Sequence, residues 1–306
     1  MKKISFDLTV NSTALYAPNP ESWYAKTYID EEQAQLFRTI PGVKSSEKVA
    51  TAIFADILKP ETCNFTSTDA TLSAVTVSVV GISAMVQVCK KDLESSFISK
   101  EMAAGSSNWE VASFTSYFFD TMSQEIKDEI ADLRWNGSTT NTAYTGTHKA
   151  LVNGFTTILN ADASVIDVAA SAVTTANVIQ VLATALQTLP AKLQTDTTKL
   201  KFYVAPNVAT AYGIATAQYN TTSNVTKKLA MTFADIDIIP QAYLPANQIV
   251  LTVPDNLVYA FDGISDISDI KIINLSDTTG DELLRARVNL KVGFAILNGG
   301  EIVYVH

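Results

Sequence analysis

The sequence predicts a mixed α+β protein, and three features carry that prediction. A long alternating strand pattern beginning at Leu72 gives way to an acidic amphipathic helix that ends at Gly137. Helical and strand patterns then alternate to about residue 257, and strands dominate the chain after it. With 306 residues, 47% of them hydrophobic, the chain has enough apolar surface for a substantial core.

The first 44 residues mix aromatics with Pro18 and Pro20, carry a short helical pattern at residues 30–37 and close on Pro41-Gly42. They hold no core of their own and read as an arm that lies on another surface. From residue 48 to residue 65, Val49, Ile53, Ile57 and Leu58 suggest extended chain, and Thr66-Ser67-Thr68-Asp69 supplies turn chemistry. A strand returns from Leu72. Its apolar residues Val75, Val77 and Val79 fall on odd positions, whereas Ile82, Ala84, Val86 and Val88 fall on even ones. Because strand side chains alternate faces, the phase slip at Val80-Gly81 predicts a bulge or bend with glycine at the corner. A hairpin this long is expected to project beyond the body of its domain.

Ser107 precedes Glu110 at capping-box spacing, so the helix is predicted over residues 107–136. Val111, Phe114, Phe118, Met122, Ile126, Ile130 and Leu133 form one apolar stripe, ~40 Å long at ~1.5 Å per residue. Asp120, Glu125, Asp128, Glu129 and Asp132 lie opposite and predict a solvated acidic face. Gly137 ends the helix, and residues 138–147 read as polar turns.

Val178, Leu182, Ala185 and Leu189 mark a helix, residues 200–205 a strand, and Pro206 suits the first turn of a helix reaching about residue 218. Short strands are predicted at 236–239 and 249–253, then at 257–261, 270–274, 284–297 and 301–305. No internal repeat or low-complexity tract is present.

Charge and composition exclude several classes of function. The formal net charge is −9, and the longest basic clusters are the pairs Lys2-Lys3, Lys90-Lys91 and Lys227-Lys228. A main surface that grips phosphate needs clustered Lys and Arg, so contact with nucleic acid is expected to be weak and non-specific. Asp7 interrupts the N-terminal apolar run, and no window reaches the ~18 apolar residues of a membrane span, which predicts a cytoplasmic origin without membrane contact. With the hairpin turn near Ser67 and Thr68, Cys63 falls opposite about residue 72 and Cys89 opposite about residue 46. Two free thiols are therefore predicted.

No template for catalysis is matched. The only histidines, His148 and His306, are far apart in sequence and read as bystanders. There is no Gly-rich phosphate loop, no Gly-x-Ser-x-Gly elbow and no Cys-x-x-Cys. The helix carboxylates lack the Glu-x-x-His pair of a di-iron bundle, and Asp262, Asp266, Asp269, Asp277 and Asp281 match no calcium loop and read as turn residues. No catalytic residue, cofactor site or metal site is predicted, and the chain does not read as an enzyme.

The order of these pieces carries a resemblance. Residues 86–97 run from strand into Lys-Asp-Leu-Glu-Ser-Ser, and the helix closes on Trp135-Asn136-Gly137. Residues 186–190 lead to Phe202-Tyr203-Val204-Ala205-Pro206-Asn207, and the passage IPQAYLPANQIVLTVPDNLVYAFDG begins at Ile239. In this order they resemble the major capsid proteins of tailed double-stranded DNA phages, the Hong Kong 97 type, over nearly the whole chain.

The resemblance implies an N-terminal arm over residues 1–44 and an extended hairpin, the E-loop, over 45–92. It implies a peripheral domain over 93–149 with its spine helix at 107–136, and an axial domain over 150–257. Strands within 258–291 return to the peripheral domain, and 292–306 rejoin the axial one. Contacts between subunits are expected at the hairpin tip, Phe65, Thr66, Ser67, Thr68 and Asp69, and at the Gly81 bend. The implied partners are further copies of the chain, in pentamers and hexamers that close an icosahedral shell around DNA, together with a portal, a separate scaffold and decoration proteins. Assembly is expected in the host cytoplasm and residence in the virion. Lys59 is the lysine nearest the tip, no Asn partner can be named for it, and no covalent crosslink is expected. The alternatives are an encapsulin-type compartment shell of the same fold and a phage tail or surface binding protein.

Overall fold

The computed structural model describes residues 14–16, 35–54, 70–89, 91–92, 112–170, 172–219, 231–262, 271–275 and 279–306. The chain divides into two compact units. The larger comprises residues 29–80, 128–262 and 291–306, and the smaller comprises 1–28, 81–127 and 263–290.

In the larger unit, the short apolar runs Lys-Phe-Tyr-Val and Ile-Val-Leu-Thr become β7 (Lys201–Val204) and β10 (Ile249–Thr252), and all four residues of β10 are buried. Strands buried on both faces read as continuous apolar runs, which is why neither alternates. Around them lie β6 (Ile166–Val168), β8 (Thr232–Phe233), β9 (Ile236–Pro240) and β14 (Val303–Val305), in the order β6-β14-β10-β7-β9-β8. β10 runs antiparallel to β7 and β14, whereas β7–β9 and β14–β6 are parallel.

The parallel steps demand crossover helices. Helix α3 (Val178–Thr188) buries Val178, Leu182 and Ala185 at helical spacing, and α5 (Pro206–Tyr219) opens on the proline whose missing N–H costs nothing at a first position. α3 packs against α5 and β14. Two short helices, α2 (Phe155–Ala161) and α4 (Ala191–Thr195), belong to the same unit.

The long helix is α1 (Ala112–Asn136). Met122, Ile126, Ile130 and Leu133 of the predicted stripe are buried, as are Phe119 and Trp135. The predicted cap at Ser107 and Glu110 lies outside the described residues. Gly137 ends the helix for a steric reason, since a Cβ there would meet Val152 O at 2.2 Å and Leu133 O at 2.6 Å. The loop at 152–154 passes across the helix end, and Gly154 N–H donates to Gly137 O at 2.8 Å.

β13 (Leu283–Ile296) changes character along its length. Through Leu290 it alternates, with Leu284, Ala286, Val288 and Leu290 buried and Arg285, Arg287 and Asn289 exposed. From Val292 to Ile296 every residue is buried. The change falls at the 290/291 division between the units. The alternating half joins β12 (Lys271–Asn274), β1 (Ala14–Tyr16) and β5 (Val80–Cys89) in the smaller unit. In the larger unit, the buried half pairs with β11 (Leu257–Phe261), which runs parallel to β2 (Arg38–Pro41).

β3 (Ser46–Phe54) and β4 (Ala70–Ser78) form the hairpin, nine residue pairs long from Ser46↔Ser78 to Phe54↔Ala70. Its register corrects the sequence expectation: Ser46 faces Ser78, not a residue near Cys89, so Ser67 and Thr68 do not lie midway between the paired strands. The break after Ser78 also explains the phase slip. The run from residue 70 to residue 89 is two strands with different partners, β4 on β3 and β5 on β13, rather than one bulged strand. Cys89 is a free thiol, and Cys63 lies outside the described residues. Residues 35–37 form a turn and bend, where the helical pattern at 30–37 enters the described chain.

Candidate functional site

The feature that sets this chain apart from a plain α/β domain is the hairpin, and its root shows how it is held. Pro41-Gly42 turns the chain from β2 toward β3, with Gly42 at φ 80°, a conformation that glycine adopts without penalty. Val43 N–H then donates to Phe261 O at 3.2 Å, and Val79 N–H to Ser45 O at 2.9 Å. Val49 and Val77 enter a small core with Val43, Val258, Ala260 and Ala295. On the same stretch the side chains at 46–48, 50, 74, 76 and 78 are exposed, so among the described side chains Val49 and Val77, with Val75 half-buried, are the ones this end of the hairpin covers. The ladder is ~30 Å long, and it is anchored at this end.

Gly293 lets the root seat. A Cβ on it would lie 2.1 Å from Ser78 O, 2.9 Å from Ser78 C and 3.1 Å from Val79 Cα, so the backbone of β13 passes against the end of β4 where no side chain fits.

A charged clamp closes the root. Asp262, whose side chain is 6% exposed, takes Lys44 Nζ at 3.3 Å and Lys291 Nζ at 3.0 Å. Lys291 Nζ also donates to Lys44 O at 3.1 Å. One carboxylate thus ties the end of β11, the start of β13's buried half and the entry to the hairpin. Asp262, expected as a turn residue in water, is a buried ion-pair centre instead, because the chain folds two lysines onto it. Burial alone would raise its pKa, and the hydrogen bonds from Lys291 and Lys44 outweigh that and hold it below the ordinary value.

Asp132 is a second correction of the same kind. It was expected on the solvated helix face but is buried, and it accepts from Asn136 Nδ2 at 2.6 Å and meets His148 Nε2 at 2.8 Å and Lys149 Nζ at 3.0 Å. His148, set aside as a catalyst, has a structural contact instead; with Lys149 it pins the 138–151 loop to α1. Burial opposes ionisation here too, yet the bonds from Asn136, His148 and Lys149 lower the pKa of Asp132. The other predicted acids, Asp120, Glu125 and Glu129, are exposed, and Asp128 is half-buried.

These two carboxylates make stability depend on pH with a definite sign. A folded pKa below the unfolded value of about 3.9 adds stability that is fully present above that value and is lost as pH falls through the folded pKa. The urea midpoint of the wild type is expected to drop between about pH 4 and pH 2, and the drop should be smaller in a D132N/D262N variant. Equal slopes for the two proteins in that window would remove both clamps from the account.

Beside the root lies an open groove of about 1080 Å³, lined by Val75 and Thr76 of β4, Leu151, Ile158 and Phe294 among others. Of the expected contact residues, Phe65, Thr66, Ser67, Thr68 and Asp69 lie outside the described residues, as do Lys59, Asp266, Asp269 and Asp277. Gly81 is exposed at the start of β5, with nothing within 4 Å of an added Cβ. It is not the corner that the phase slip suggested; the break falls at Val79. Sequence reasoning missed Lys44, Lys291 and Gly293. The available signal was a glycine inside an otherwise strong strand pattern, which marks a close backbone approach.

Among the described residues no group of three or more His, Cys, Asp or Glu could hold a metal ion, and no helix is long and apolar enough to cross a membrane.

No family model matches the sequence, and no curated protein matches it. Solved structures do match the fold. A chain of the satellite phage P4 procapsid, solved with its size determination (Sid) protein, aligns with TM-score 0.60 and 9% identity over 93% of this chain and 96% of that one. A chain from the capsid of the native GTA particle aligns with TM-score 0.59 and 12% identity over 92% and 89%. A virus-like particle from Pyrococcus furiosus aligns with TM-score 0.51 and 11% identity over 94% and 97%. The mixed α+β fold is the one found in these particle shells, and at such identities the likeness concerns the fold alone.

Proposed function

We propose that this chain is the structural subunit of a closed protein shell, the major capsid protein of a tailed phage, which self-assembles around double-stranded DNA. The observation that carries the reading is the two-stranded hairpin β3–β4, nine residue pairs long and fixed at its root, in a chain whose fold is that of particle shells. A two-stranded ribbon of this length is marginal in water by itself, so it calls for a neighbouring surface. In this reading the hairpin is the E-loop, α1 the spine helix, the β6-β14-β10-β7-β9-β8 sheet the centre of the axial domain, and residues 65–69, just before β4, a contact with the next subunit. Copies are arranged as pentamers and hexamers.

Negative-stain microscopy with sedimentation velocity of the purified chain tests this directly. Icosahedral particles are expected, and a protein that stays monomeric at every accessible concentration would refute it.

The likeness to a virus-like particle supports a second reading, a compartment shell that encloses protein cargo. Nuclease-protected DNA inside particles from the native source favours the phage capsid. A co-purifying enzyme without DNA favours the compartment. The net charge of −9 bears on either case, since an acidic wall holds DNA only loosely.

A further inference from the structure

Among the described residues, the smaller unit carries a sheet face whose positive charge meets no carboxylate. On β13, Arg285 and Arg287 are exposed two positions apart. Arg285 Nε donates to Gln87 Oε1 at 2.8 Å, and Arg287 donates from Nε to Asn289 Oδ1 at 3.1 Å and from Nη2 to Ser83 Oγ at 3.4 Å. Every one of these partners is neutral. The guanidinium groups are oriented but not neutralised, and among the described residues neither pairs with a carboxylate.

Met85, 70% exposed, lies between Ser83 and Gln87 on the same face of β5, and Ile273, 41% exposed, pairs across from Arg285. No Asp or Glu occupies this face at the described strand positions. The surface is a pair of arginines on β13 flanked by Met85 of β5 on one side and Ile273 of β12 on the other, a mixed cationic and apolar composition suited to an interface rather than to a solvated face.

The same chain carries the complementary surface elsewhere. Tyr117, Thr121, Glu125 and Glu129 follow one another at four-residue steps on α1, and all four are exposed. Residues at that spacing share a helix face, and like charges there repel. Glu125 and Glu129 are separated by ~6 Å along the helix axis, close to the ~6.8 Å between residues two apart on a strand.

We infer that the Arg285–Arg287 face of the smaller unit's sheet in one copy docks on the Glu125–Glu129 stripe of α1 in a second copy. The inference rests on the self-assembly reading and names one interface within it. Glu125 and Glu129 neutralise the two guanidinium groups, and the helix backbone and side chains around them cover Met85 and Ile273 on either side of the arginines. A phosphate backbone would satisfy the arginines but leave Met85 and Ile273 in water, which is why a protein surface fits better. The contact joins two different patches, so it is head-to-tail and closes rings when the rotation between copies permits.

Charge exchange in the full-length chain tests the interface. R285E/R287E and E125R/E129R are each expected to reduce the associated fraction in sedimentation velocity roughly tenfold or more, because like charges then face each other. The four-residue exchange, and an equimolar mixture of the two double variants, should restore association. The sites are exposed, so the variants should keep wild-type circular dichroism; if either double is misfolded, R285Q/R287Q is read in its place and should show the same loss to a smaller degree. Double variants that associate like the wild type overturn the interface and leave the assembly reading standing. Loss without recovery in either exchange overturns it as well. If R285E/R287E associates normally but loses salt-sensitive DNA binding, the face belongs to nucleic acid and the proposal fails. A wild type that never associates refutes the assembly reading itself and this inference with it.

Discussion

A Gly293→Ala variant is expected to unseat the hairpin and to assemble few or no particles. The added methyl would sit 2.1 Å from Ser78 O and 2.9 Å from Ser78 C, and neither is the tip of a flexible side chain that could move aside. The backbone of β4 or of β13 must shift instead. Both are committed, β4 by its pairing with β3 and β13 by its antiparallel ladder to β11. Displacing β4 opens the small core in which Val77 and Val49 meet Val258, Ala260 and Ala295, and moves Val79, whose N–H bonds Ser45 O. Overpacking of this kind costs about 1–3 kcal/mol, and here it falls on the element proposed to reach the neighbouring subunit. Urea midpoints by circular dichroism measure the first effect, and particle counts in negative stain the second. Gly81→Ala is the control. Its Cβ meets nothing within 4 Å, so it should leave the midpoint unchanged or raise it slightly through the unfolded chain. If Gly293→Ala matches the control in both measurements, the close approach plays no part in seating the hairpin.

Periodicity made most of the elements legible, and long-range charge made the rest illegible. α3 and α5 stand where their apolar spacing and Pro206 place them, and β10, β11 and β13 agree with the predicted runs to within a residue or two. These segments are decided by local pattern and burial, which a sequence carries openly. The hairpin register was misplaced because its turn was chosen from Thr66-Ser67-Thr68-Asp69, which has turn chemistry but does not lie midway between the paired strands. The phase slip near Val80 was a correct observation with the wrong geometry attached. A bulge and a change of partner strand leave the same mark in a sequence, and only the pairing of β5 with β13 separates them.

Asp262 and Asp132 failed for a different reason. An aspartate in a polar stretch is ordinarily solvated, and nothing local distinguishes one that meets two lysines or a His and a Lys brought from elsewhere. Lys291 comes from 29 residues away, and His148 from a loop 16 residues on. Such partners become visible only once the fold sets the distance, and the same is true of Arg285 and Arg287. In sequence they are two of 22 basic residues in an acidic chain. On the sheet they share a face that carries no carboxylate at its described strand positions.

Trp135→Ala is expected to give the largest loss of stability of any single truncation considered. The indole is 2% exposed, where the last turn of α1 meets a ring cluster: Phe155 at 5.5 Å, Tyr203 at 6.1 Å and Phe37 at 6.2 Å between centroids. Phe37 is drawn in from the segment before β2, where Tyr203 also donates its hydroxyl to Leu36 O. The cluster therefore joins α1, α2, β7 and the chain leading to the hairpin. Removing a buried Trp costs about 3–5 kcal/mol through lost transfer and an unfilled cavity. Against a net stability of ~5–15 kcal/mol, that leaves much of the population unfolded or close to it. A second loss is chemical. Trp135 Nε1 donates to Gln241 Oε1 at 3.2 Å, and Gln241 is 4% exposed, so truncation leaves a buried amide oxygen without that donor. Trp135→Phe separates the two effects in part, because it keeps an aromatic ring in the cluster but loses the N–H and the volume of the second ring. Its expected cost combines about 1–3 kcal/mol for an unsatisfied buried acceptor with a cavity term smaller than that of Trp135→Ala. Adding Gln241→Met to Trp135→Phe removes the stranded amide and should recover the hydrogen-bond part of that loss. The urea midpoints should therefore order as wild type, then the W135F/Q241M pair, then W135F, then W135A. If W135F falls as far as W135A, the hydrogen bond outweighs the packing; if W135A stays at the wild-type midpoint, the ring cluster does not anchor the end of α1.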